Sequence, residues 1–224
     1  MAVSAAKRSD VYVEAKNLEK IYGAGQRAVI ALRNASCTIR PGDRIAVVGP
    51  SGSGKSTLLQ LFGGLEQPTS GRLSWPMLGE REGLRPEKVA FVFQSESLLP
   101  QLSVIENVEL PLLLQDRVPE VARRRALEVL LHLGLAELAS KLPESLSGGQ
   151  AQRIAVARAL AVTPYLLLVD EPTGQLDRAG ADRLLDRLLA ALRPTDALII
   201  ATHDDRVAAR MATAWHICHG ILTV

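Results

Sequence analysis

The stretch Gly49-Pro50-Ser51-Gly52-Ser53-Gly54-Lys55-Ser56-Thr57 carries the strongest structural signal in this chain. It fits the phosphate-binding pattern G-x-x-x-x-G-K-[ST]. The apolar run before it, Arg44–Val48, predicts a buried strand, and the run over 57–62 predicts a helix that ends at Gly63-Gly64. Because the motif requires a strand before it and a helix after it, this context predicts nucleotide binding. A glycine-rich turn with a stray lysine is the weaker interpretation.

Each residue type in this loop has a physical use in holding a phosphate. Glycines allow consecutive backbone N–H groups to point at phosphate oxygens, where a Cβ atom would obstruct the approach. The N-terminus of the following helix adds a partial positive charge. We expect Lys55 to reach the β- and γ-phosphates and Ser56 to offer its hydroxyl to Mg²⁺.

Composition describes a folded globular protein. The chain has 224 residues, of which 47% are hydrophobic and 22% are charged, and such a chain buries a substantial core as one compact unit. Its net charge of +2 does not favour nucleic acid as a partner. The two cysteines, Cys37 and Cys218, form no C-x-x-C pair, so we expect neither a disulfide framework nor a zinc site. Two buried thiols in a reducing cytosol are the simpler interpretation.

Targeting signals are the next feature to consider. The N-terminal residues include Lys7, Arg8 and Asp10 but no apolar segment typical of a signal peptide. No apolar run approaches the length that spans a bilayer. If the protein works at a membrane, we therefore expect another chain to supply the membrane part.

Hydrophobic patterns predict alternating strands and helices. Strands are expected at 11–15, 28–39, 89–93, 165–169 and 197–201, and helices at 119–133, 147–160 and 177–192. The first two strands form an antiparallel element before the phosphate loop, and 197–201 is expected to be the last core strand. Segment 72–88 reads as irregular or short β structure, and 95–114 as a loop with a short helix at 104–108.

The predicted helix at 119–133 has two distinct surfaces in sequence. An apolar set is spaced along it, and Gly134 ends it; the set consists of Val121, Leu127, Leu130 and Leu131. The cluster Arg123-Arg124-Arg125 is interpreted as a solvated face.

The alternation of strands and helices predicts an α/β fold with a mainly parallel sheet and helices on both faces. In such sheets ligands bind at the carboxyl ends of the strands. The polar residues that follow predicted strands are the phosphate loop, Gln94, Asp170, Glu171 and His203. We therefore expect them to converge on one site.

These residues have the chemistry of nucleotide hydrolysis. A carboxylate at Asp170 suits a Mg²⁺ shell, and Glu171 suits a base that polarises the attacking water. The alternative interpretation is that Asp170 and Glu171 are only acidic residues of a turn before Pro172. The amide oxygen of Gln94 is able to ligate Mg²⁺, and His203 is able to bond both the γ-phosphate and the water, although lone histidines are more often structural.

A second candidate phosphate-binding element is Ser147-Gly148-Gly149-Gln150. Its S-x-x-Q spacing predicts a capping box at the start of a helix. The double glycine weakens a first helical turn, but it would allow an anion to approach the helix N-terminus closely.

Together these motifs resemble the ATPase subunit of an ABC transporter. They stand in that family's order over nearly the whole chain, as the phosphate loop (Walker A), Gln94, Leu146-Ser147-Gly148-Gly149-Gln150, the Walker B run Leu167-Leu168-Val169-Asp170-Glu171-Pro172, Leu176-Asp177 and His203. The resemblance makes Tyr22 the adenine-stacking aromatic, which by itself would be a hairpin tyrosine. It makes Gln94 the Q-loop glutamine, Asp177 the D-loop aspartate and His203 the switch histidine.

The resemblance also implies an assembly. Two subunits would sandwich two ATP molecules with Mg²⁺, head to tail, so that Ser147 and Gly149 of one copy face the phosphate loop of the other. The homodimer would act on integral membrane permease subunits at the cytoplasmic face of the membrane. The chain would be one ATP-binding domain over 1–224, with its core at about 10–94 and 158–224 and a helical subdomain at about 95–157.

A narrower resemblance is to the LolD/MacB-like group of lipoprotein-release, efflux and FtsE-like subunits. It is carried by Phe91-Val92-Phe93-Gln94, Leu98-Leu99-Pro100 and the run from Glu106 to Leu112. Leu98, Leu99 and Leu102 are candidates for lining a groove for the permease, or for ordinary packing. The segment between Gly71 and Phe91 is shorter than is usual for the group, Gln175 replaces the commoner asparagine or alanine before the D-loop, and Ala151 replaces a polar residue.

The remaining alternatives are a non-transport ABC ATPase of the translation or DNA-repair type, and a subunit of an ABC importer. Translation types carry two cassettes and repair types insert a long coiled coil, and this chain has neither feature. A P-loop kinase would be expected to lack the LSGGQ sequence. Contacts with the transported molecule are expected to lie in the membrane partner.

Overall fold

The computed structural model describes residues 10–94 and 97–224. The strands are β1 Val13–Tyr22, β2 Val29–Ile39, β3 Arg44–Val48, β4 Ser70–Ser74, β5 Val89–Val92, β6 Leu166–Asp170, β7 Ala197–Thr202, β8 Thr213–Cys218 and β9 Ile221–Thr223. The α-helices are α1 Lys55–Phe62, α2 Val104–Leu113, α3 Pro119–Leu133, α4 Gly148–Ala161, α5 Arg178–Ala191 and α6 Asp205–Ala208.

The strands form one sheet in the order β4-β1-β2-β9-β8-β3-β7-β6-β5. The five strands β8, β3, β7, β6 and β5 run parallel to one another, whereas β9 pairs antiparallel with β8 and β1 pairs antiparallel with both β2 and β4. The predicted α/β fold, with a mainly parallel sheet and an N-terminal antiparallel element, is therefore confirmed.

The parallel strands are apolar because both faces of the sheet are covered. Along β6, Leu166 and Leu168 pack with α1 and the antiparallel strands, whereas Leu167 and Val169 pack with the layer that contains α2 to α5. This alternation places helices on both faces, and it leaves the carboxyl ends of the strands free to carry polar residues.

Helix α2 is longer than the sequence predicts. A reciprocal capping box at Ser103 and Glu106 begins it, and it continues to Leu113 with Pro111 inside. A proline removes only one N–H from the hydrogen-bond ladder. Beyond Pro111, Leu112 is buried in the core, so tertiary packing extends the helix past the residue at which the sequence ends it.

Helix α3 has the predicted bounds, but the prediction of which apolar residues line its buried face is wrong. Of the predicted apolar residues only Leu130 is buried, whereas Val121, Leu127 and Leu131 are exposed. The buried face is made by Ala122, Ala126, Val129, Leu130 and Leu133. Small alanines allow α3 to lie close to its neighbours, and the periodicity of large side chains alone does not reveal such a face.

The arginine cluster on α3 is also more than a solvated face. Arg123 Nε lies 2.7 Å from Oε2 of Glu109, whose side chain is only 8% exposed. Arg125 Nε donates to the carbonyl oxygen of Ala161 at 3.3 Å. Two of the three arginines therefore join α3 to α2 and α4.

Strands β8 and β9 were not predicted, because 197–201 was expected to end the core. In β8 only Trp215 and Ile217 are buried, in an alternating pattern too short to stand out in the sequence. No helix among the described residues is long and apolar enough to cross a membrane.

Candidate functional site

The phosphate loop connects β3 to α1, as the sequence predicts. Gly54 precedes the helix with φ of 110°, a left-handed conformation that favours glycine. A Cβ atom on Gly54 would overlap the carbonyl oxygen of Ala31 in β2. The loop is also tied to the β8–β9 turn, because the N–H of Gly220 donates to the carbonyl oxygen of Ser53 at 3.0 Å. The antiparallel part of the sheet therefore helps to fix the loop.

Lys55 points back into this loop. Its ammonium group donates to the carbonyl oxygens of Gly49 at 2.8 Å and Pro50 at 3.1 Å, and it lies 3.7 Å from Oε1 of Glu171. This position places a buried cation between the loop backbone and an acidic residue, where it can meet a phosphate group.

Glu171 follows β6 and turns sharply. Its φ is 47°, an uncommon conformation for a residue with a side chain, and its N–H donates to the carbonyl oxygen of Ala201 in β7 at 2.9 Å. Oε1 of Glu171 lies 2.9 Å from Nδ1 of His203. The turn thus separates the Glu171 carboxylate from that of Asp170 and joins it to His203.

Asp170 is the last residue of β6 and is buried, with 5% exposure. Among the described residues its Oδ1 atom has no hydrogen-bond partner. Burial raises the pKa of this carboxyl, the Ser56 hydroxyl lowers it, and the nearby Glu171 raises it further while Lys55 lowers it. A buried acceptor without a donor is costly unless a cation or a donor reaches it.

One cavity of about 450 Å³ lies at the ends of β3, β5, β6 and β7. The lining consists of Ser56, Gln60, Phe93, Gln94, Asp170, Glu171, Gly174, Gln175 and His203. The structure therefore brings together Ser56 and the four predicted polar residues at strand ends.

Sequence reasoning missed several lining residues. Gln60 lies one helical turn after Ser56, so the i,i+4 spacing within α1 would have identified it. Phe93 and Gly174 lie next to predicted site segments. The sequence indicates Gln175 only as a replacement for the commoner asparagine or alanine before the D-loop, not as a lining residue.

The Ser147-to-Gln150 segment begins α4 with the predicted capping box. Gln150 N–H donates to Ser147 Oγ at 3.3 Å, and Ser147 N–H donates to Gln150 Oε1 at 2.9 Å. None of these residues lines the cavity of the same chain. A phosphate held at this helix start would therefore lie outside the cavity that contains Glu171 and His203.

The structure gives the double glycine an additional explanation. A Cβ on Gly148 would overlap Oε1 of Gln175, and one on Gly149 would lie 2.6 Å from Cδ2 of Leu176. The glycines therefore allow the segment after Glu171 to pack directly on the start of α4.

Tyr22 and Asp177 also lie outside the cavity lining, as do Lys55 and the other phosphate-loop residues except Ser56. Tyr22 is the last residue of β1, opposite Val29 of β2, and the ammonium of Lys20 lies 4.8 Å from its ring centroid. Asp177 is the N-cap of α5 and accepts from the N–H of Gly180 at 2.8 Å.

The cavity offers only a few oxygen ligands for a cation, which would take its remaining ligands from phosphates and waters. Asp170 offers an oxygen without a donor, and Ser56 and Gln94 line the same cavity. Among the described residues no group of three or more His, Cys, Asp or Glu side chains is placed to hold a metal by itself. This pattern suits Mg²⁺, which is commonly bound through one or two carboxylates together with phosphates and waters.

Comparison with known sequences identifies the family of the chain. Residues 32–174 match the family model described as ABC transporter. The chain is 42% identical over 211 residues to the lipoprotein-releasing system ATP-binding protein LolD of Legionella pneumophila (strain Paris), covering 91% of this chain and 93% of that protein. It is 43% identical over 222 residues to LolD of Novosphingobium aromaticivorans, covering 96% and 99%.

Solved structures agree with the fold. The dimeric bacterial ABC transporter cassette MJ0796 has a TM-score of 0.87 at 37% identity, covering 95% of this chain and 97% of that one. The same cassette as a post-hydrolysis dimer bound to ADP and Pi has a TM-score of 0.86 at 37% identity, with the same coverage. The cbiO1 protein from Clostridium perfringens, part of the ABC transporter complex cbiONQ, has a TM-score of 0.81 at 30% identity, covering 96% and 88%. The chain belongs to the ABC transporter family, as an ATP-binding and ATP-hydrolysing subunit.

Proposed function

We propose that two copies of this chain bind two ATP molecules with Mg²⁺ between them and use hydrolysis to drive integral membrane partners of an export or lipoprotein-release system. The proposal that this chain hydrolyses ATP at this site rests on one observation, the position of the Glu171 carboxylate. It is held between His203 and Lys55 in the cavity that also contains Asp170 and Gln94.

In this proposal each residue has a defined part in nucleotide binding. The backbone N–H groups of residues 49–57 and the start of α1 receive the phosphates, and Lys55 exchanges the loop carbonyls for phosphate oxygens. Ser56, Gln94 and Asp170 would hold Mg²⁺, Asp170 directly or through a water. When bound, the metal ion neutralises charge on the β- and γ-phosphates.

Glu171 acts as the base that polarises the attacking water. Its contact with Nδ1 of His203 fixes the orientation of both side chains. His203 is then placed to contact the γ-phosphate and the water together, while the salt contact with Lys55 keeps the Glu171 carboxylate in the cavity. Tyr22 stacks on the adenine.

The position of the signature segment supports the two-copy arrangement. Ser147 to Gln150 begin a helix, attract anions and do not line their own chain's cavity. A second copy supplies the missing contact if its nucleotide meets this helix, and Asp177, at the start of α5, then faces the partner. The relative MJ0796 was solved as a dimer.

We propose that the membrane partner inserts a segment into an apolar groove of about 190 Å³ beside Gln94. Its walls come from β5, α2 and α4, and they include Phe91, Pro111 and Val162, with the guanidinium groups of Arg85 and Arg158. The candidate groove residues Leu98, Leu99 and Leu102 are not among its lining, and Leu98 packs against the core.

The same proposal places the chain at the cytoplasmic face of the membrane, since the partner supplies the membrane part. Lipoprotein release or export is favoured because the relatives named as lipoprotein-releasing ATP-binding proteins are 42–43% identical over more than nine-tenths of the chain. Mass spectrometry of what co-purifies from detergent-solubilised membranes tests this assignment. A partner with few spans and a large extracytoplasmic domain agrees with it, and a many-span permease with a binding protein contradicts it.

Glu171→Gln tests the hydrolytic part. The variant should bind ATP as the parent protein does but hydrolyse it about 10²–10⁴ times more slowly, because a general base supplies about that factor. With ATP and Mg²⁺ it should elute as a dimer on size exclusion. Glu120→Gln, on the surface of α3, is the matched control and should leave turnover unchanged. A Glu171→Gln monomer with ATP bound would contradict the two-copy arrangement.

A further inference from the structure

The described residues form a basic cavity of about 290 Å³ where α2, α3 and the end of α4 meet. Its charged lining consists of Arg117, Arg124, Arg125 and Glu128, so positive charge is in excess. This cavity shares no lining residue with the catalytic cavity. We propose that it is a separate anion site, which binds a phosphate group carried by a phospholipid headgroup or by a free phosphate ion.

Two of the three arginines are available to a ligand. Arg125 is already engaged, since its Nε donates to the carbonyl oxygen of Ala161 at 3.3 Å and its Nη1 lies 3.4 Å from Oε2 of Glu128. In contrast, Arg117 and Arg124 form no ion pair with any described residue. Their two guanidinium groups are therefore the uncompensated charges of the cavity.

A buried amide donor supports the same ligand. Gln115 lines the cavity, and its Nε2 atom is buried without a hydrogen-bond partner among the described residues. A buried donor without an acceptor is unfavourable, and an oxygen atom of a bound phosphate would supply that acceptor. A cation would leave the nitrogen unpaired, so the amide and the arginines both favour an anion.

The helix ends beside the cavity do not decide its charge. Helix α3 begins there, with a partial positive charge, and α4 ends there, with a partial negative charge. These partial charges are each about half an elementary charge and oppose one another, whereas each guanidinium group carries a full charge. The arginines therefore determine the ligand, and their planar donor groups match the oxygen geometry of phosphate.

Apolar residues near the arginines favour a phospholipid as the source of the phosphate. In the connection between α2 and α3, Leu114 is 69% and Val118 is 58% exposed, and Val121, which lines the cavity, is 42% exposed. Val162 lines both this cavity and the groove proposed for the membrane partner. Exposed apolar side chains beside cationic ones suit an amphiphile at a membrane surface. The lipid source rests on the proposed function, whereas the phosphate site does not.

Two-dimensional ¹H–¹⁵N NMR of the full chain without nucleotide tests the site. The side-chain amide signal of Gln115, identified by its absence in Gln115→Met, reports on this cavity, so phosphate bound at the phosphate loop is not counted. Titration with inorganic phosphate, and separately with the short-chain lipid dihexanoyl-phosphatidylglycerol, should shift this signal until it saturates. Sodium chloride at equal ionic strength should not shift it.

The double variant Arg117→Gln/Arg124→Gln should raise the half-saturating concentration at least about 10-fold, because a hydrogen bond to a charged group contributes about that factor or more. Arg33→Gln/Arg72→Gln is the matched control. It removes two exposed arginines from β2 and β4, and therefore the same charge, and it should leave half-saturation nearly unchanged. Circular dichroism verifies that both variants fold.

The outcomes are distinct. A saturable shift with the phospholipid alone assigns the site to a lipid headgroup, and a shift of equal affinity with inorganic phosphate assigns it to a free phosphate. The proposal is overturned if neither compound shifts the Gln115 signal, or if both double variants weaken binding equally, since net charge alone would then explain the effect. The test requires no ATP hydrolysis, so its failure leaves the proposed function standing.

Discussion

The carboxylates of Asp170 and Glu171 are adjacent in sequence but have different surroundings. Glu171 has His203 and Lys55 beside it, whereas Oδ1 of Asp170 is buried without a donor among the described residues. The left-handed backbone at Glu171 separates the two side chains, at a cost of about 1–3 kcal/mol. This difference suits one residue to a base and the other to a cation ligand.

The raised pKa of Asp170 gives a stability prediction for the nucleotide-free protein. The folded state binds this proton more tightly than the unfolded chain, so Asp170 should destabilise the protein at neutral pH, and this penalty should diminish as pH falls through the raised pKa. We expect Asp170→Asn to raise Tm at neutral pH by about 2–4 °C, which corresponds to about 1 kcal/mol, and to abolish turnover.

Thermal unfolding without nucleotide or divalent cation measures this effect. Asp182→Asn, at an exposed position on α5, is the control and should leave Tm nearly unchanged. A lower Tm for Asp170→Asn would show that the ionised carboxylate is stabilised in the folded protein.

At the scale of single elements, two helices in the described part of the chain begin with similar capping boxes. Ser103 with Glu106 begins α2, and Ser147 with Gln150 begins α4. Only the second is followed by a double glycine. The pair therefore offers a test that separates loss of a cap from loss of a binding surface.

Ser147→Arg should retain ATP binding and lose turnover, because a bulky cation would stand where the partner's nucleotide is proposed to dock. Ser103→Arg removes an equivalent cap, worth about 1 kcal/mol, and should retain turnover. ATP binding and phosphate release measure the two properties. Full activity of Ser147→Arg, or equal loss in both variants, would remove the role proposed for the signature segment in the second copy.

The ion pair between α2 and α3 gives a second element-scale prediction. Arg123→Met leaves the buried Glu109 carboxylate without its cation, and we expect a loss of about 1–3 kcal/mol in the free energy of unfolding. Arg124→Met, at a neighbouring position without an ionic partner among the described residues, should change stability by less than about 0.5 kcal/mol. Urea unfolding measures both, and equal values would contradict a structural role for the pair.

At the scale of the whole molecule, β8 and β9 join the two parts of the sheet. They lie between β2 of the antiparallel element and β3 of the parallel part. Trp215 in β8 is buried, and its ring centroid lies 6.4 Å from that of Phe62 in α1, with the rings inclined by 76°. The last described strands thus complete the core beneath the phosphate loop.

Trp215→Ala should therefore destabilise the protein by about 3–5 kcal/mol, the range for removing a large buried aromatic side chain. Trp215→Phe, which keeps a ring against Phe62, should lose much less. Chemical denaturation followed by circular dichroism measures the difference. A loss below about 1 kcal/mol for Trp215→Ala would show that β8 contributes little to the core.

Local sequence patterns identified most elements that build the site. The phosphate loop, the buried runs at β3, β6 and β7 and the capping box of α4 depend on residues within one or two turns of each other, so the sequence predicts them directly. The convergence of Gln94, Asp170, Glu171 and His203 also followed from the sequence, because carboxyl ends of parallel strands meet at one edge.

The sequence by itself thus determined the α/β fold and the chemical identity of the site, through apolar periodicity and motifs with fixed spacing. Only the tertiary structure decided which face of α3 is buried, how β8 and β9 join the sheet, and that Gln175 packs on the signature glycines. The physical reason is that these features depend on contacts between residues far apart in the chain, where packing and hydrogen-bond geometry outweigh local propensity.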